Sequence, residues 1–134
     1  QAALERFVFA LDGAGFIAHA TTNSHYLRFY RHYLNGFKDG SGVPYSSAEL
    51  IGKTLKVLGI DFTVKQISYQ NTALENASEQ VEGYLQRCIF DDTIGLDVML
   101  KNSETGPYLN ECLQNGIWHF DQQVMLFFLT SAST

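Results

Sequence analysis

The feature that most constrains this chain is a helical apolar stripe starting at about Ser24. Tyr26, Phe29, Tyr30, Tyr33, Leu34 and Phe37 recur at intervals of three and one. That spacing makes one face of an α-helix and cannot make one face of a strand. Arg28, Arg31, His32 and Asn35 take the opposite face, and Asn23 or Ser24 is the expected N-cap. The helix ends near Gly36, and Lys38-Asp39-Gly40-Ser41-Gly42 reads as a loop.

A strand from Leu4 to Ala10 is expected before it, ending at Asp12-Gly13-Ala14-Gly15, where two glycines relieve a turn. Phe16-Ile17-Ala18 follows as a short apolar piece. Downstream, Ser46-Ser47-Ala48-Glu49 has the Ser-x-x-Glu spacing of a capping box and leads a helix over about 47–58, closed by Gly59. Everything beyond Gly59 reads as strand: Ile60 to Tyr69, Gln80 to Phe90, Thr93 to Lys101, and Tyr108 to about Leu129. In the third of these, Ile94, Leu96, Val98 and Leu100 are expected inward and Met99 outward. Asn102 to Pro107 is expected as a turn, and the last segment is long enough for one bent strand or for two strands broken at Asn115-Gly116 or Asp121. The order predicts an α+β fold in one domain, residues 1–134.

The 134 residues suffice for one core, and 46% hydrophobic content excludes wholesale disorder. A net charge of −5 without a basic run argues against a nucleic-acid partner. No apolar run approaches a membrane span, and a cytoplasmic location is expected. Cys88 and Cys112 lack metal-ligand spacing and read as small apolar packers. His19, His25 and His32 do not share a face with a carboxylate, so no metal is expected.

Asp12 is the only acid at a glycine-relieved turn beside a helix, which makes it the candidate catalytic carboxylate; a plain turn-capping role is the alternative. The segment Asp12-Gly13-Ala14-Gly15-Phe16-Ile17-Ala18-His19-Ala20, followed by Tyr26-Leu27-Arg28-Phe29-Tyr30, resembles the hotdog-fold acyl thioesterases of the hydroxybenzoyl-CoA and Tol-Pal-cluster branch. The resemblance implies a hotdog fold, a long helix wrapped by a curved antiparallel sheet, with Asp12 as general base or nucleophile and His19 orienting it or polarising the thioester. Hydrolysis of acyl-CoA or acyl-carrier-protein thioesters also needs an oxyanion site. The free N–H groups around Asn23 to Tyr26, or the backbone of Gly15 and Phe16, would supply it. Phe16 and Phe29 are candidate liners of the acyl chain, and Tyr26 is either a core aromatic or a proton donor.

Arg28, Arg31 and Lys38 form either a solvated face or a docking patch for coenzyme A phosphates or an acyl-carrier protein. No cofactor is expected beyond the coenzyme A or phosphopantetheine of the substrate, and relatives of this kind are homodimers or homotetramers. Ala10 stands where the family usually has a second acid, and about four extra residues precede Tyr26. A non-hydrolytic acyl or polyketide binder is therefore the alternative, followed by a small cone-fold isomerase or dehydratase.

Overall fold

A computed structural model describes Ala3, Leu4, Arg6 and residues 14–42 and 46–130. Its described elements are β1 (Ala14–Ala20), α1 (His25–Phe37), α2 (Ala48–Val57), β2 (Phe62–Leu74), α3 (Ser78–Ile89), α4 (Leu96–Lys101), α5 (Thr105–Cys112), β3 (Leu113–Gln114) and β4 (Ile117–Thr130). Asp12 and Ala10, and most of the strand expected from Leu4 to Ala10, lie outside the described residues. Ala3, Leu4 and Arg6 are helical, which departs from the strand expected there.

β4 is the middle strand. It pairs antiparallel with β1 on one side and β2 on the other, so β1 and β2 run in the same direction, and β3 pairs with its start. Because side chains alternate along a strand, β4 presents Trp118, Phe120 and Gln122 to one face and Met125, Phe127 and Leu129 to the other. Helices α1, α3, α4 and α5 cover the first set and bury Phe29, Leu85, Met99 and Leu109 against it. Helix α2 covers the second, burying Ala48 and Leu55 against Phe127 and Leu129. Each half of β4 is thus roofed on a different face.

This arrangement corrects the hotdog expectation. A hotdog sheet wraps one long central helix, whereas here five described helices lie on both faces of a four-stranded antiparallel sheet. The first helix and the second stand where their periodicities place them. Ser24 occupies the N-cap position of α1 but does not cap it. Its hydroxyl instead donates to the Gln123 carbonyl and accepts the Gln123 N–H, tying the helix start to β4. The cap of α2 is Ser47, which accepts from Leu50 N–H at 3.1 Å. Glu49 does not close a box with Ser46; its carboxylate takes the Thr22 N–H and hydroxyl.

Two expected strands are helices, and the stretch from Tyr108 to Cys112, expected to open the last strand, is helical as well. In the first, Val81, Leu85 and Ile89 recur every four residues, an interval that serves a strand face and a helix face equally. Cys88 is buried with them, which only the helix allows. In the second, Met99 is fully buried and Val98 is 52% exposed, the reverse of the strand expectation. The expected turn from Asn102 to Pro107 runs into α5, whose start is held by Asn102 Oδ1 accepting from Glu104 and Thr105 N–H. The final break falls at Asn115-Gly116, where both residues have positive φ, 54° and 75°. That pair of values defines the two-residue hairpin turn that Asn-Gly favours. No described helix is long and apolar enough to cross a membrane.

Candidate functional site

The face of the sheet under α1 carries a polar cluster inside an aromatic one. His25, the first residue of α1, is almost wholly buried because it sits one turn before Phe29 on the core stripe. Its ring stacks on Phe29, Tyr84 and Tyr108 at centroid distances of 5.4, 5.7 and 5.7 Å and tilts against Phe120 at 4.5 Å. Nδ1 lies 2.6 Å from the Tyr108 hydroxyl. Whichever of the two holds the shared proton, Nε2 has no partner among the described residues. Burial, with the Arg28 charge adding to it, pushes the imidazole down to about 3, so His25 is neutral at ordinary pH.

Gln122 is the second buried polar group. It reaches this face because it follows Trp118 and Phe120 at the strand period of two. Its Nε2 donates to the Tyr84 hydroxyl at 2.9 Å, and the Asn71 amide donates to the same oxygen at 3.1 Å. Burial pushes the Tyr84 hydroxyl above its ordinary range and keeps it neutral. Gln122 Oε1 is buried and unpaired, as is Trp118 Nε1. An unpaired buried polar atom costs about 1–3 kcal/mol, so three in one face make this the polar strain point of the core.

Two clefts flank this cluster. The first, about 420 Å³, is walled by the rings of Tyr26, Tyr84 and Phe120 and carries Asn71, Thr72 and Gln80 as polar edges. The second, about 580 Å³, is polar and includes Arg28, Tyr108 and Asp121. His25 stacks on a ring from each, Tyr84 of the first and Tyr108 of the second, and so separates them.

The residues singled out from the sequence are dispersed. His19 is half-buried on β1 opposite Met125, on the sheet face that α2 covers, with Nδ1 3.2 Å from the Ala20 carbonyl. It is therefore on the other side of the sheet from Tyr26. Gly15 and Phe16 are also on β1, and Phe16 is 59% exposed with its ring near Phe128. Asn23 is exposed, and its N–H is taken by Thr21 Oγ1 at 3.2 Å. Phe29 is sealed in the core beneath His25 and lines neither cleft. Of the basic residues, Arg28 enters the polar cleft, where its guanidinium lies 5.3 Å over the Tyr108 ring, while Arg31 and Lys38 are exposed and line neither cleft. Tyr26 alone stands in the aromatic cleft.

Residues that sequence reasoning passed over are His25, Tyr84, Phe120 and Gln122. Two signals were present: a histidine four residues before Phe29 on an apolar stripe, and a glutamine in phase with Trp118 and Phe120. Among the described residues no group of histidine, cysteine and acidic side chains could hold a metal ion.

A sheet with one central antiparallel strand, roofed on both faces and bearing an aromatic cleft, defines an α+β fold. Among solved structures it is similar to a crystal structure from Bacillus halodurans C-125 described as a "putative methyltransferase". The two are 11% identical with a TM-score of 0.50, over 97% of this chain and 57% of that one. This chain thus spans little more than half the length of that protein. No family model matches the sequence, and no curated protein matches it. Identity this low speaks to fold alone, and the fold it indicates is not the hotdog. The resemblance to hotdog thioesterases is overturned: five described helices lie on both faces of the sheet, and the segments over 80–90 and 93–101, strands in expectation, hold the helices α3 and α4.

Proposed function

We propose that this chain binds the acceptor substrate of a small-molecule methyltransferase, with the cleft of Tyr26, Tyr84 and Phe120 as the acceptor site. The observation that carries the reading is the aromatic cleft itself, in which Asn71 and the buried Gln122 hold the Tyr84 hydroxyl. Three ring faces grip a flat or cationic molecule, and a few amide groups at the edge set its orientation. The volume of about 420 Å³ suits a small molecule and is too small for a polymer. Methyl transfer enters by fold analogy with the similar solved structure.

A methyl donor would supply an electrophilic methyl group. No glycine-rich turn that would cradle a phosphate leads a described strand into a helix: β1 enters α1 through Thr21-Thr22-Asn23-Ser24. The reading therefore concerns the acceptor side alone.

The test is a titration of the chain, followed by backbone and aromatic NMR, with a panel of aromatic amines and phenols. Shifts centred on Tyr26, Asn71 and Tyr84, lost in Tyr84→Ala, are the expected result. A panel that leaves these signals unmoved refutes the acceptor site. Thioester hydrolysis at Asp12 predicts something different: turnover of acyl-CoA substrates that disappears in Asp12→Asn.

A further inference from the structure

The polar cleft of about 580 Å³ carries charges of both signs that do not meet each other. Arg28 comes from α1, Glu111 from α5 and Asp121 from β4. The one ion pair among the described residues is His32–Glu104, so Arg28 pairs with neither acid. Its guanidinium rests on the Tyr108 ring face, which leaves its N–H edge available. Asp121 is held by the Gln70 amide at 2.6 Å, and Gln70 is held in turn by His119 Nδ1 at 3.0 Å. One carboxylate is thus oriented by a relay across β2 and β4, and the Gln70 donor leaves it room for further bonds.

Opposite charges that share a cleft ordinarily pair and neutralise each other. Here they stand apart in one cavity, each with unused bonding capacity. We propose that the cleft binds a zwitterion of the α-amino-acid class, its carboxylate on Arg28 and its ammonium on Asp121 and Glu111. The guanidinium fork matches a carboxylate with two parallel bonds, and an ammonium has three donors to share between two carboxylates. This site is separate from the aromatic cleft and does not depend on the acceptor reading. Because Glu111 and Asp121 are exposed, the binding weakens as ionic strength rises.

Calorimetric and NMR titration of the chain with the twenty free L-α-amino acids, at low salt, tests the proposal. The best binder is then compared with its N-acetyl derivative, its α-carboxamide and 1,4-diaminobutane. Binding that moves the Arg28 and His119 signals, and that falls roughly tenfold or more when either end is blocked, is the expected result. Arg28→Gln and Asp121→Asn each weaken the free amino acid by a similar factor. Asp121 is exposed, so that variant keeps the fold, which circular dichroism verifies. The idea fails if no amino acid binds, if the blocked forms or the diamine bind equally well, or if Asp121→Asn leaves affinity unchanged. Failure here leaves the aromatic cleft untouched, since none of these charges lines it.

Discussion

Replacing His25 by phenylalanine removes an imidazole that the fold holds neutral, and the consequence appears as a change in how stability depends on pH. The folded value of about 3 lies below the ordinary 6.5. Between those two values the unfolded chain binds a proton that the folded chain does not, so stability falls as pH drops below about 6.5 and rises with pH across that window. Linkage over the two values gives a loss of about 2 kcal/mol from this one group between pH 8 and pH 5, and about 3 kcal/mol by pH 4. His25 is almost wholly buried, so no discount for solvent screening applies. Urea unfolding of the natural chain and of His25→Phe, at pH 8 and pH 5, isolates the effect, because every other titrating group is common to both. The natural chain should lose about 2 kcal/mol more than the variant over that interval. Phenylalanine keeps the stacking on Phe29, Tyr84 and Tyr108, which limits the pH-independent cost. Parallel pH dependences in the two proteins would refute the buried, neutral assignment, and so would an NMR titration showing His25 protonating near pH 6.

Three further outcomes are expected. Met99→Ala should cost about 2–5 kcal/mol in urea unfolding, while Val98→Ala costs under about 1 kcal/mol; equal costs would contradict the helical assignment of α4. Ser47→Ala should cost about 1 kcal/mol by removing the acceptor of Leu50 N–H, and Ser46→Ala next to nothing. Gln122→Met removes an unpaired buried oxygen and should leave stability within about 1 kcal/mol of the natural chain, since Asn71 still donates to Tyr84.

The parts legible in the sequence are those whose cause is local. The stripe from Tyr26 to Phe37 and the helix after Ser47 depend on neighbours three and four residues away, and Asn115-Gly116 carries its own positive-φ preference. The cap register of α2 slipped by one residue because Glu49 found a partner in Thr22, 27 residues off. The strands expected after Gly59 went wrong where the pattern was ambiguous. Val81, Leu85 and Ile89 fit two periods, and the choice fell to the sheet, whose single exposed face over Trp118 and Phe120 needed helices to cover it.

By itself, then, the sequence determined an α+β chain with two early helices, offered Asn115-Gly116 as one place for the last segment to turn, and placed Tyr26 on an amphipathic face. Only the tertiary structure decided the site. His25 and Tyr108 are 83 residues apart, and Gln122 and Tyr84 are 38 apart. No local pattern encodes such meetings, because each depends on which elements pack together and on what burial then does to a polar group. Asp12 and His19 drew attention as a spacing along the chain. His25 and Gln122 matter because the fold removes them from water and leaves part of their bonding unfilled.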